Sequence, residues 1–181
     1  MGFRSNQLIN DMGEVKHLGD RTEAIAKLKE LAEDVGICMF CTNLGQLPIS
    51  ARPMSLREVD EEGNLWFISG ASTHKNMDIE TDNRVQLFFA KMSDNHYLSV
   101  YGNASIYRDR EKIDEIWTPI AKAWFEEGKD DPEVTVIKVA PSDAYYWDTQ
   151  DGKAIAFLKW TAAAVIGKRM DDGGVEGEMN L

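Results

Sequence analysis

Ala51-Arg52-Pro53-Met54-Ser55, Asn64-Leu65-Trp66-Phe67-Ile68-Ser69 and Ser72-Thr73-His74-Lys75-Asn76 lie close together in the chain and decide its fold. The middle stretch is an apolar, strand-like run. The outer two place cationic and hydroxyl groups just beyond strand-like runs, which is the chemistry that a phosphate needs. A hairpin-built sheet would bring the ends together and give a planar ring a surface to lie on, so the pattern suggests a phosphorylated aromatic cofactor.

Working outward, the residues from Gly36 onward read as strands. Ile37–Thr42, Ile49–Ser55, Leu65–Ser69, Val85–Ala90, Tyr97–Tyr107 and Val134–Val139 are rich in β-branched and aromatic residues. Short connections such as Asn43-Leu44-Gly45-Gln46 and Asp60-Glu61-Glu62-Gly63 favour antiparallel neighbours over crossovers. Pro141–Asp151 reads as a further aromatic strand. The economical fold is mainly β, an antiparallel sheet curling into a barrel with flanking α-helices, because closure removes exposed edges.

Residues 20–35 form an amphipathic helix: Asp20 caps it, Glu23 stands three residues later, Ile25, Leu28, Leu31 and Ala32 recur at helical spacing, and Gly36 ends it. Lys75–Thr81 is a short helix with Thr73 as its cap. Arg110–Phe125 is a longer one that Pro119 kinks or splits. Gly128–Pro132 is an acidic loop, and Ala154–Arg169 docks as a final helix. The domain boundaries that follow are an arm over 1–19, one domain over 20–170 and a flexible tail over 171–181.

At 181 residues the chain has the length of one domain. Its 20 Lys and Arg against 31 Asp and Glu give a net charge of −11, which repels nucleic acid in the absence of a segregated basic patch. The apolar runs are too short to span a bilayer and no signal-peptide core is apparent, so a soluble, cytoplasmic protein is expected. Cys38 and Cys41 are the only cysteines. Their spacing resembles a redox dithiol, but inside a strand they face opposite sides, and they read as small buried hydrophobes. His17, His74 and His96 are scattered and form no metal-ligand pattern, so no metal is expected.

Arg52 is a phosphate fork or a surface arginine. Lys75 and His74 favour the first, since they begin a helix whose free N–H groups attract an anion. Ser72 and Thr73 add hydroxyls, although Thr73 alone is more simply a cap. Trp147, beside Asp148, covers a ring or joins the core.

The succession Arg52-Pro53-Met54-Ser55, Leu65–Ser69, Thr73-His74-Lys75 and Asn83-Arg84-Val85 resembles the pyridoxamine 5'-phosphate oxidase-like, FMN-binding split-barrel family. Gly102, Trp117, Ala123-Trp124-Phe125, Asp131-Pro132 and Ala144–Asp148 are similar to its bacterial general stress protein branch. The resemblance covers about residues 20–170. It implies a six-stranded antiparallel split β-barrel that dimerises, with FMN, ahead of FAD, at the subunit interface. By position, Arg52 and Lys75 would neutralise the phosphate with Thr73 and His74 assisting, beside the hydroxyl of Ser72. Met54, Ser55, Phe67, Ile68 and Ser69 would line the ribityl chain and ring edge, and Tyr97 and Trp147 would approach the ring, Trp147 from the partner subunit.

The resemblance implies a homodimeric FMN-dependent oxidoreductase with an unidentified small-molecule donor or acceptor and no assignable catalytic residue. The alternatives are a non-catalytic module that sequesters or senses flavin and a deazaflavin-using relative. Where the true oxidases hold substrate phosphate with a basic segment, this chain has Asp148-Thr149-Gln150-Asp151-Gly152, so oxidation of vitamin B6 phosphates is not expected.

Overall fold

A computed structural model describes residues 20–149 and 174–179. The expected arm over 1–19 and the expected helix over Ala154–Arg169 lie outside them. The chain begins with helix α1 (Arg21–Val35), whose N-cap Asp20 accepts from the Thr22 N–H at 3.1 Å. Gly36 ends it in the left-handed region at φ 71°, donating its N–H to Ala32. Ala24, Leu28, Leu31 and Ala32 are its buried stripe.

Eight strands follow, all paired antiparallel: β1 (Ile37–Thr42), β2 (Ser50–Ser55), β3 (Glu58–Val59), β4 (Leu65–Gly70), β5 (Arg84–Lys91), β6 (His96–Tyr107), β7 (Val134–Thr149) and β8 (Gly174–Met179). Helix α2 (His74–Thr81) joins β4 to β5, and α3 (Arg110–Ile116) follows β6. The sheet order is β2-β1-β5-β6-β7-β4-β3, with β8 added to β7. Phe40, Phe67, Leu87, Val100, Ile137 and Val139 are fully buried beneath α1. Phe40 and Phe67 meet edge to face at 5.3 Å, a geometry worth about 1 kcal/mol beyond the area it buries.

The fold class expected from the sequence is the one observed, with differences in its parts. Eight strands stand among the described residues where six were expected. The segment from Asp60 to Gly63 does not join β2 to β4. Instead the chain leaves the sheet at Leu56-Arg57 and re-enters as the two-residue β3, which residues 60–63 join to its neighbour β4. Strands β2 and β3, adjacent in sequence, thus stand at opposite ends of the sheet path, and the curled sheet is split between β2 and β4.

The two strand readings around Ala140 merge into the single strand β7. It pairs β4 with its first part, β8 with its last, and β6 along most of its length. The register shifts at Tyr101/Gly102, where a Cβ on Gly102 would lie 2.3 Å from the Ala140 carbonyl oxygen, so only glycine fits. Residues 174–179, read as part of a loose tail, form β8, and Met179 is buried. Pro119 splits the Arg110–Phe125 region: α3 ends at Ile116 and a 3-10 helix runs over Pro119–Trp124. The Gly128–Pro132 loop contains one 3-10 turn at Gly128–Asp130.

Candidate functional site

The split between β2 and β4 opens into a cavity of about 400 Å³, within the size range of small-molecule sites. Strand alternation selects its walls. On β2, Arg52 and Met54 share one half-buried face, and on β4, Ile68 and Gly70 do so. Thr73 and Lys75 enter from the start of α2, and Ile120, Ala121 and Trp124 from the 3-10 helix. Ile120 and Trp124 are 72% and 71% exposed, so large apolar side chains stand open at the cavity's lip.

Arg52 is fixed before any ligand arrives. Its Nη1 donates to Thr42 Oγ1 at 2.6 Å, and Thr42 in turn donates to Asp78 Oδ2 at 2.6 Å. Arg52 Nη2 lies 3.6 Å from the same Asp78 oxygen. Lys75 is different: its one described partner is the Thr73 hydroxyl at 3.1 Å, with no carboxylate beside it. Burial and the neighbouring Arg52 charge hold Lys75 below its ordinary value. Thr73 occupies the N-cap position of α2 without capping it. Its hydroxyl donates to the Gly70 carbonyl at 2.7 Å and accepts from Lys75.

Behind this end, Ser69 Oγ donates to Asn76 Oδ1 at 2.7 Å, Asn76 Nδ2 donates to Thr135 Oγ1, and Thr135 donates to the Ser69 carbonyl. This buried triangle ties β4, α2 and β7 together, and a satisfied buried network of that kind rigidifies its surroundings. Seven of the residues singled out by sequence therefore meet in one cavity: Arg52, Met54, Ser55, Ile68, Ser69, Thr73 and Lys75.

The others do not line it. Phe67 points to the opposite face of β4 and is core, as strand parity requires. Ser72 and His74 are exposed, and the Ser72 N–H is bound to Glu133 Oε2 at 2.9 Å. Tyr97 and Trp147 are paired across β6 and β7 and lie with Phe88 on a separate, apolar outer patch. Asp148 is not a free anion near the cavity. It sits 2.5 Å from Lys27 Nζ and 3.0 Å from His96 Nε2, and the rest of the expected acidic segment, Gln150-Asp151-Gly152, lies outside the described residues. Burial raises Cys41 and pushes the Cys38 thiol up to about 12, so neither is a reactive thiolate.

Sequence reasoning missed Arg57 and the 3-10 wall. Arg57 follows the end of β2 and carried no motif. The exposed Ile120 and Trp124 belong to the Arg110–Phe125 region expected as a helix, and after the break at Pro119 they line the cavity from a 3-10 helix.

Residues 23–171 match the family model described as pyridoxamine 5'-phosphate oxidase like. The chain belongs to that family. Solved structures with the same fold include a candidate general stress protein 26 from Jannaschia, 23% identical with a TM-score of 0.72, covering 90% of this chain and 100% of that one. General stress protein 26 from Bacillus anthracis is 25% identical with a TM-score of 0.56, over 66% of this chain and 92% of its own. A general stress FMN/FAD binding protein from Xanthomonas citri is 22% identical with a TM-score of 0.62, over 72% and 92%. Protein bli-3 of Neurospora crassa is 30% identical over 105 residues, 53% of this chain, and the match spans half of that relative's length. No helix among the described residues is long and apolar enough to cross a membrane.

Proposed function

We propose that the protein binds FMN in the split between β2 and β4 and works as a cytoplasmic, homodimeric flavin-dependent oxidoreductase. The observation that carries this reading is the polarity of one cavity. Lys75 and Arg52 stand at one end beside the α2 N-terminus, and Met54, Ile68, Ile120 and Trp124 supply apolar walls. A half-buried lysine without a carboxylate partner suits an anionic ligand, and the residues present fit a phosphate at that end. Arg52 and Lys75 would hold the phosphate, Thr73 would orient Lys75, and the apolar walls would exclude water from the ring. Bound there, the flavin supplies the electron-transfer chemistry.

The outer patch of Phe88, Tyr97 and Trp147, 48%, 36% and 41% exposed, supports a dimer in which one protomer's aromatic residues cover its partner's cavity. A specific observation favours a second reading, a flavin-binding module without efficient turnover. Among the described residues, the titratable ones lining the cavity are Arg52, Arg57 and Lys75, and none of them is a carboxylate, imidazole or phenol that would move a proton.

The visible spectrum of the purified protein, with mass analysis of the released cofactor, tests the binding claim. A protein that neither retains nor takes up FMN defeats both readings. Anaerobic reduction of the bound flavin by NADH or NADPH, followed by reoxidation with added acceptors, separates the enzyme from the module.

A further inference from the structure

Arg57 lines the cavity from the far side of the split. Its backbone N–H is bound to the Trp66 carbonyl at 2.9 Å, so it stands near the start of β4, whereas Thr73 and Lys75 follow that strand's end. Arg57 lies five positions beyond Arg52, a span of at most about 17 Å along an extended chain. The cavity thus carries positive charge at both ends.

The Arg57 guanidinium is also incomplete. Its Nε is buried and has no hydrogen-bond partner. Among the described residues its side chain is in no ion pair, whereas Arg52, Arg84 and Arg110 each have a carboxylate partner. A buried donor left unsatisfied costs about 1–3 kcal/mol, so such a group is retained without penalty where a ligand completes it. That ligand must offer acceptor atoms, and charge of negative sign, at the end away from the phosphate.

We propose that Arg57 takes the N1 and C2-carbonyl edge of the bound flavin and raises its reduction potential, an inference that rests on the flavin reading above. Addition of a hydride at N5, from a donor of the reduced-nicotinamide class, brings two electrons and one proton. It leaves one negative charge, shared by N1 and the C2 oxygen. Arg57 is a positioning residue that favours that charge, because a guanidinium aimed at developing anionic density in a water-poor site acts far more strongly than in water. The cation discriminates between the two redox states. Lys75, facing a phosphate that is the same in both, does not.

The test compares Arg57→Met, Arg57→Gln, Arg57→Lys and Lys75→Ala with the unaltered full-length protein, each loaded with FMN. The measurements are the Kd of oxidised FMN, the midpoint potential of bound FMN by dye-coupled potentiometry, and far-UV circular dichroism to establish folding. Met and Gln should weaken reduced FMN at least tenfold more than oxidised FMN. Each factor of ten appears as a midpoint about 30 mV lower for this two-electron couple. Lys should hold the potential near the original, and Lys75→Ala should weaken both forms equally and leave it in place. Equal weakening of the two forms by Arg57→Gln, or an unmoved midpoint in a folded variant, overturns the assignment of Arg57 while leaving FMN binding intact. An unaltered protein that binds no FMN overturns the flavin reading itself.

Discussion

Replacing Lys75 with alanine should produce opposite effects on the loaded and the ligand-free protein. In the ligand-free state the ammonium is half-buried, uses one of its three N–H donors on Thr73 at 3.1 Å, and has only the like charge of Arg52 nearby. A phosphate supplies the missing acceptors, and one charge-assisted hydrogen bond is worth about 1.5–3 kcal/mol. Lys75→Ala should therefore raise the Kd for FMN by about 10- to 150-fold and leave riboflavin, which lacks the phosphate, nearly unaffected. The sign for folding is reversed. Burial first, and Arg52 second, lower the folded-state pKa of Lys75 below 10.5. A lowered lysine pKa makes folding less favourable wherever the unfolded lysine is protonated, and that penalty fades as pH rises through the folded value toward the unfolded one. Lys75→Ala should thus leave the Tm of the ligand-free protein unchanged or higher. FMN affinity of the unaltered protein should fall as pH rises through the lowered value, and the variant should lack that limb. Isothermal titration against FMN and riboflavin over pH 6–10, with thermal melts without ligand, measures all of this. Equal losses for the two ligands would refute the placement of the phosphate, and a lower ligand-free Tm would refute the account of Lys75 as a destabilising cation.

Arg52→Ala should also weaken FMN by about 1.5–3 kcal/mol but lower the ligand-free Tm, because Arg52 donates to Thr42 and lies beside Asp78; an unchanged Tm would contradict the described bracing. Gly102→Ala puts a Cβ 2.3 Å from the Ala140 carbonyl oxygen and should cost more than about 3 kcal/mol, read as loss of soluble protein or as a urea midpoint lower by about 1–3 M than that of the unaltered protein; near-normal stability would show that the β6–β7 register can relax. Asp60 loses some ease of ionisation to burial, but bonds from Trp66 and Asn64 hold its pKa below the usual carboxylate value; its stabilisation is present above the unfolded pKa and should be lost as pH falls through the folded one, a sensitivity that Asp60→Asn should lack in acid melts. Light scattering should give about twice 20.4 kDa, shifting to the monomer in Tyr97→Asp/Trp147→Asp; a monomer that keeps tight FMN binding would remove the partner subunit from the site.

Most of the scaffold could be read from local pattern. Ile37–Thr42 has its predicted bounds, and the helix over 20–35 begins and ends at the residues whose capping chemistry demands it. The meeting of Arg52, Thr73 and Lys75 in one cavity was legible for the same reason, since they sit at strand and helix ends, where side-chain type and backbone geometry act together. What escaped notice depends on distance along the chain. The pairing of Thr149 with Gly174 gives no local sign. Nor does the separation of β2 from β4, which turns on two residues, Leu56 and Arg57, leaving the ladder. The partners of Asp148, Lys27 and His96, are remote in sequence, so their contacts with it give no local sign either.

The unusual length of β7, 16 residues, bears on how the chain is made. Strand β4 has only the two residues of β3 as a partner until Val134–Val139 are available. During synthesis, β1, β2, β5 and β6 can assemble among themselves while Leu65, Trp66, Phe67 and Ile68 wait beside a bare edge. Such an apolar, unpaired edge invites pairing with other nascent chains. The last third of the protein therefore acts as a closing seam, and substitutions in Val134–Val139 should reveal themselves first as aggregation on the ribosome and only later as lost stability of the finished molecule.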